Sequence, residues 1–167
     1  GWDGVDQSYF FTPEGEDFEW FYAQHNVSIL DNGDIALFDN GTAKVKRVDG
    51  DNRVSGDNVY SRAVVYQIDT ENMTVSQVTE YGKERGADWY SDWISGVVSL
   101  DGTQDHLWIT AGSHLHSDEE NRSDYYPKDM FVQGLTKTTH IDQVDNGELS
   151  FELTISGDTY NALTYRS

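Results

Sequence analysis

Gln24-His25-Asn26-Val27-Ser28-Ile29-Leu30-Asp31-Asn32-Gly33-Asp34-Ile35-Ala36-Leu37-Phe38-Asp39-Asn40-Gly41 reads as a strand, a tight turn and a second strand. Asp31-Asn32-Gly33-Asp34 carries hairpin-turn chemistry, because Asn-Gly supplies the positive φ angles of a tight primed turn. The flanks, Val27 to Leu30 and Ile35 to Phe38, mix β-branched and aromatic residues at strand length. His25 stands where the first strand begins. An imidazole at that mouth can serve as a nucleophile, a base, a ligand, or only a polar strand end.

Working outward, the chain predicts strands and almost no helix. Ala63 to Ile68 is closed by Asp69, and Thr74 to Tyr81 follows. A second set runs Gly96 to Leu100, a turn at Asp101-Gly102-Thr103, Leu107 to Ala111, Thr139 to Val144, the turn Asp145-Asn146-Gly147, and Leu149 to Ile155. Each set is a meander of four strands joined by hairpin turns, with His25 and Ser95 at comparable starts. Two such units spaced by roughly 70 to 75 residues resemble consecutive blades of a β-propeller. The expected class is therefore all-β. Residues 1–17 form a connector or a piece of a preceding blade, 18–92 one blade, and 93–167 a second blade with a closing strand. A propeller needs about four to eight blades. Two blades alone would leave apolar edges open, so upstream blades elsewhere or a homo-oligomer are expected. A free-standing β-sandwich is the alternative on strand count.

Composition narrows the classes. The 167 residues suffice for one domain with a real core, and 37% hydrophobic with 13% aromatic residues argue against disorder. No run of 18 apolar residues occurs, so no helical membrane insertion is expected. Gly1 opens the chain without a visible signal peptide, which is read as a processed or truncated start. With no cysteine, disulfide and thiolate chemistry are excluded. Thirty acidic residues against 11 basic ones give a net charge of −19. A surface of that sign repels nucleic acid and anionic lipid. Acid spread along a lysine-poor chain suits a high-salt habitat, where screening removes self-repulsion.

The run Gln24-His25, the hairpin, Phe38-Asp39-Asn40-Gly41, Tyr60-Ser61-Arg62-Ala63-Val64-Val65-Tyr66, Glu80-Tyr81-Gly82-Lys83-Glu84-Arg85-Gly86 and Trp89-Tyr90-Ser91 resembles the bacterial arylsulfate sulfotransferases. Five motifs in the right order are far more specific than any one of them. The similarity runs from about Phe18 to Ser99 and resumes faintly at Gly112 to Leu115 and at Thr159 to Leu163. The resemblance implies a six-bladed propeller preceded by a small β-sandwich, of which this chain would be the C-terminal portion. It also implies sulfuryl transfer from a phenolic sulfate ester to a phenol, without a nucleotide donor or any cofactor. The small-molecule partners would be an aryl sulfate and a phenol, and the place of action extracellular, periplasmic or at the cell surface.

Sulfuryl transfer leaves charge on three equatorial oxygens, much as phosphoryl transfer does. A neutral imidazole is a good nucleophile and a good leaving group, so it can divide the transfer into two steps. In the resembled family the histidine after glutamine in this hairpin becomes sulfurylated; that position is His25. Tyr160 is the best match to a pocket tyrosine near the family's C-terminus. Arg62 lies in the shared Ser-Arg motif, as a substrate-side group or as a buttress for Asp39 or a backbone carbonyl. A pocket threonine four residues after the tyrosine of the Tyr-Ser motif is Ile94 here, with Ser95 next to it, which implies an altered donor contact. The family's further catalytic histidines and an arginine lie upstream of the hairpin. A non-catalytic cell-surface binding module is the second class of function.

Other motifs read as ordinary structure. His114 and His116 alternate and would face one side, but no third metal ligand accompanies them apart from Asp118-Glu119-Glu120. No metal site is expected. His106, at a turn, and His140, on an outer strand, read as surface residues. Asp49-Gly50-Asp51-Asn52 with Asp57 lacks EF-hand spacing and reads equally well as turn chemistry. Sequons at Asn26, Asn40, Asn72 and Asn121 exceed a chance expectation of roughly 1.5 and agree with export. Gly82-Lys83-Glu84-Arg85-Gly86 is not a phosphate loop.

Overall fold

The computed structural model describes residues 4–42, 60–91, 93–116 and 136–158. These residues form an all-β protein with two sheets. The first contains β1 (Thr12–Glu14), β2 (Gln24–Ile29), β3 (Ile35–Asp39), β4 (Arg62–Asp69) and β5 (Thr74–Tyr81), in the order β1-β5-β4-β3-β2. The second contains β6 (Ser95–Ser99), β7 (His106–His116), β8 (Thr136–Asp145) and β9 (Glu148–Asp158), in chain order. Both four-strand meanders expected from the sequence are therefore present. The stretch read as a connector adds β1, which pairs in parallel with β5 from Thr12↔Thr74 to Glu14↔Ser76. Helix among the described residues is limited to 3-10 segments, Gln7–Tyr9 and Lys83–Trp89.

The two Asn-Gly turns differ. Asn146 and Gly147 both have positive φ, 53° and 81°, and close a two-residue primed turn between the paired Asp145 and Glu148. At the first hairpin only Gly33 is left-handed, with φ 91°. Gly33 N donates to Leu30 O at 2.9 Å and Leu30 N to Asp34 O at 2.8 Å, which makes a three-residue loop ending in a bulge rather than the primed turn expected. Asn32 supplies the reason. Its Oδ1 accepts from Asp34 N at 3.0 Å and its Nδ2 donates to the Asp34 carboxylate at 2.8 Å. Those bonds use the side chain as a local turn brace.

Strand alternation then builds the core. Ala36, Phe38, Ala63, Val65 and Tyr81 face the second sheet and meet Val97, Leu107, Ile109, Ala111 and Val144 in one apolar layer with Trp89. The alternate residues Leu37, Val64, Tyr66 and Val75 line the opposite face of the first sheet, where Phe11, Phe18 and Phe21 cover them. On the outer side of the second sheet, Val98, Phe151 and Leu153 are exposed, and the Phe151 ring stacks on Trp108 at 6.0 Å. Each meander joins its second and third strands through residues 43–59 or 117–135, which lie outside the description. β3 ends and β4 begins, and β7 ends and β8 begins, at the end of the sheets that carries His25 and Ser95.

Candidate active site

β2 is an edge strand of its sheet, and His25 is its second residue, opposite Phe38. The backbone is irregular there. Ala23 and Asn26 flank His25 with φ of 59° and 48°, and the pairing register shifts between His25 and Ser28. The bulge turns Asn26 toward the second sheet, where its Nδ2 donates to Val97 O at 3.2 Å. A Cβ on Gly96 would sit 2.8 Å from that Nδ2, so the close approach of β2 and β6 depends on glycine. Further along, Asp31 N donates to Gly102 O at 2.9 Å. The two edge strands thus sit side by side, with His25 and Ser95 at neighbouring starts.

A buried polar network lies behind the imidazole. His25 Nδ1 is 2.6 Å from Asn40 Oδ1, and Asn40 Nδ2 donates to Ser91 O at 2.7 Å. Asn40 is 0% exposed. Ser61 Oγ donates to Asn40 O at 2.9 Å and accepts from Ser91 N at 2.8 Å. Ser91 Oγ and Ser95 Oγ are 2.9 Å apart, and Ser95 Oγ also accepts the Gly112 N–H at 3.2 Å. Thr139 Oγ1 donates to Gly112 O at 3.0 Å, tying in the second sheet. Just before β6, buried Ile94 has φ 44°, a left-handed conformation costly for a β-branched residue. His25 Nε2 has no hydrogen-bond partner among the described residues.

This arrangement, an edge histidine anchored at one ring nitrogen, stands in a chain whose residues 1–166 match the family described as Arylsulfotransferase (ASST). The chain belongs to the arylsulfotransferase family. It is 34% identical over 156 residues to the arylsulfate sulfotransferase AssT of Escherichia coli O6:H1, a match covering 92% of this chain and 23% of that protein. Against the arylsulfate sulfotransferase AssT of Lelliottia amnigena the identity is 34% over 127 residues, covering 72% and 20% respectively. The chain therefore spans less than a quarter of the length of these relatives.

The positions expected to serve an arylsulfotransferase fall into three groups. His25 and Ser95 meet through Asn40, whose Nδ2 is 3.5 Å from Ser95 Oγ, with Ser95 buried in the network. Arg62, with a side chain 0% exposed, is fully committed inside the first sheet. Its Nε donates to Asp39 Oδ2 at 3.1 Å, Nη1 to Gln77 at 2.9 Å and to Glu80, and Nη2 to Glu19 O at 2.8 Å and Tyr66 Oη at 3.3 Å. It acts as the buttress of Asp39, whose other oxygen takes Tyr22 N at 2.7 Å and Gly41 N at 3.0 Å and so fixes the backbone beside Asn40. Burial pushes the Tyr66 phenol beside it well above its ordinary range. Tyr160 lies outside the described residues, as do Asp49 to Asp57, Asn121 and Asp118 to Glu120; His114 and His116 are on β7, their side chains outside the description.

Two histidines were read as surface residues. His106 does open β7 with its side chain 44% exposed. His140 is different, with only 12% of its side chain exposed and Nδ1 3.5 Å from Glu152 Oε1. It pairs with Thr154 on β9, and burial lowers its proton affinity. Sequence reading also missed the part played by Asn40, Ser61 and Ser91. All three lie in the quoted motifs, and the available signal was a small polar residue beside an element end: Asn40 after β3, Ser61 before β4 and Ser91 shortly after the 3-10 segment Lys83–Trp89. The sequon at Asn40 has no room for a glycan, since the amide is wholly buried.

Proposed function

We propose that the protein containing this chain transfers a sulfuryl group from a phenolic sulfate ester to a phenol through a sulfurylated His25, with no nucleotide donor. The observation that carries this reading is an edge-strand imidazole held at Nδ1 by a buried amide, with Nε2 free of any partner among the described residues. A ring so held is preset for attack on sulfur, because orientation removes much of the entropic part of the barrier. The phenolate leaves, and a phenolic acceptor then collects the group from nitrogen, giving ping-pong kinetics. Tyr160 would position or polarise a phenolic oxygen. Arg62, Arg85 and Lys83 are ion-paired with Asp39, Asp142 and Glu19, so the positive groups that surround the sulfonate in the complete protein would be others than these three.

The same reading places the two sheets as neighbouring blades of a six-bladed propeller. In its support, the meanders pack face to face with their first strands adjacent, and the outer face of the second sheet presents Val98, Phe151 and Leu153 to a further layer. The acidic surface fits an extracellular or periplasmic site of action. The test is mass spectrometry of the complete protein quenched during turnover of p-nitrophenyl sulfate. A sulfurylated peptide containing His25 is expected, and its loss in His25→Ala together with most of the rate. Sulfuryl on a peptide without His25, or full turnover by His25→Ala, would end the proposal.

A further inference from the structure

We infer that Asn40 is the positioning residue for His25, keeping the ring proton on Nδ1 so that Nε2 is the atom that attacks sulfur; the inference rests on the sulfohistidine reading above. The orientation of the amide follows from its other partner. Ser91 O only accepts, and it lies 2.7 Å from one Asn40 side-chain atom, so that atom is the NH2 group. Turning the amide over would set two oxygens against each other. Oδ1 therefore faces the ring, and at 2.6 Å the shared hydrogen belongs to His25 Nδ1. A neutral imidazole protonated on Nδ1 carries its in-plane lone pair on Nε2 alone.

The amide is rigid as well as correctly turned. The Asn40 side chain is sealed from solvent, the Asn40 backbone carbonyl accepts from Ser61 Oγ, and Ser61 Oγ in turn accepts from the Ser91 backbone N–H. The anchor is also uncharged. In a chain of net charge −19, a carboxylate here would add repulsion toward an anionic sulfate ester, whereas an amide orients the ring without it.

The bond-making sequence gives the anchor a role in both half-reactions. The Nε2 lone pair forms the N–S bond, and the S–O bond to the donor breaks with its electron pair leaving on the phenolate oxygen. The ring keeps its Nδ1 proton and becomes cationic, balanced by the sulfonate on Nε2. The bond to Asn40 Oδ1 is then charge-assisted, and so stronger in the transition state than in the resting enzyme. In the return step the acceptor's oxygen bonds to sulfur, the N–S pair goes back to Nε2, and the acceptor's proton passes to solvent. Retaining the Nδ1 proton keeps the imidazole a good leaving group throughout.

The test begins with the unmodified complete protein, labelled with 15N-histidine and read by long-range 1H–15N NMR with its histidines neutral. The His25 signals are assigned by their loss in His25→Ala. The expected result is Nδ1 protonated and Nε2 bare; a ring protonated on Nε2 overturns the inference without any need for an Asn40 variant. Asn40→Ala should lower the single-turnover rate of sulfuryl transfer from p-nitrophenyl sulfate to His25 by about 10- to 100-fold, with KM nearly unchanged and the ring tautomers mixed. Asn40→Asp keeps an acceptor and should keep Nδ1 protonated. Where Asn40→Ala does not fold, the unmodified protein and Asn40→Asp decide the matter. A folded Asn40→Ala with unaltered rate and tautomer removes the role of Asn40 while His25 is still sulfurylated. Sulfuryl trapped on another residue defeats both readings, and the two failures are told apart by that peptide.

Discussion

Trp89 and Asp142 meet across the seam between the sheets. The indole Nε1 donates to Asp142 Oδ2 at 3.0 Å, and both residues are wholly buried. The same oxygen accepts from Tyr81 Oη at 3.1 Å and Arg85 Nη1 at 2.7 Å, while Oδ1 has no partner among the described residues. Burial raises the Asp142 pKa, and only the convergence of donors on Oδ2 makes the buried carboxylate tolerable. Trp89 thus fills the inter-sheet layer and helps to satisfy the Asp142 carboxylate buried there.

Trp89→Ala removes both contributions and should cost about 3–5 kcal/mol of stability in denaturant unfolding. Trp89→Phe keeps an aromatic ring against Phe38 and Tyr81 but loses the N–H and part of the buried ring volume, so a smaller cost of about 1–3 kcal/mol is expected. Gly82→Ala should also be destabilising, because Gly82 has φ 103° and a Cβ there would collide with the Trp89 ring. Equal costs for Trp89→Ala and Trp89→Phe would show that the packing contribution is wrong.

Arg62 is the second buried centre. Its five N–H donors are distributed over Asp39, Gln77, Glu80, Glu19 O and Tyr66, and Asp39 is as deeply buried as the arginine. Arg62→Leu leaves Asp39 as an uncompensated charge in the interior and should cost about 3–5 kcal/mol. Arg62→Lys restores the charge but not the planar fork, and should recover only part of that loss. Thermal unfolding of the two variants measures this; a neutral Arg62→Leu would mean that Asp39 is not held by the arginine.

These two centres mark where sequence reading stops. Both meanders were legible because Ile35 to Phe38 and Ala63 to Ile68 are short β-branched and aromatic runs at strand length, and because Asp145-Asn146-Gly147 carries hairpin-turn chemistry. The place of His25 at the start of β2 was legible from the hairpin pattern. What was not legible is pairing between distant polar residues. Asn40 and Ser91 are separated by 51 positions, and nothing in either motif says that one accepts the other. The first turn was misread for a similar reason: Asn32 uses its side chain on Asp34, which the dipeptide Asn-Gly does not reveal.

A pH prediction follows from the second hairpin. His106 Nδ1 is 2.9 Å from Asp145 Oδ1, and this bond, aided by Asp101 and Asp105, raises the histidine above its ordinary 6.5. The same bond, with Ser150 and Gln143, holds Asp145 down to about 2. The histidine's contribution to stability is complete below pH 6.5 and is lost as pH rises through the higher folded value. The aspartate's contribution is complete above its unfolded 3.8 and is lost as pH falls through about 2. The pair is therefore fully effective between those limits. An NMR titration should place the His106 midpoint above that of an ordinary histidine, and Asp145→Asn should bring it down. An identical midpoint in Asp145→Asn would refute the coupling.

The last prediction weighs two opposing effects of salt. Screening weakens the exposed ion pairs, such as Lys83–Glu19 at 2.9 Å, but pairs of that kind contribute only about 0–1 kcal/mol each. Screening also relieves repulsion among 30 acidic residues faced by 11 basic ones, and that term acts over the whole surface. The buried Arg62–Asp39 pair is largely insulated from added ions. Repulsion should dominate, so the protein is expected to gain stability from low salt into the molar range, as a chain adapted to a high-salt habitat would. The Debye length falls from about 10 Å at 0.1 M to about 3 Å at 1 M, so repulsion between neighbouring carboxylates goes on weakening above 0.1 M. A Tm that continues to climb in potassium chloride beyond that point is the expected result. At about 2–4 °C per kcal/mol for a domain of this size, the rise should be easily measured. A Tm that is flat, or falls, between low and multimolar salt would show that the acidic surface does not limit stability.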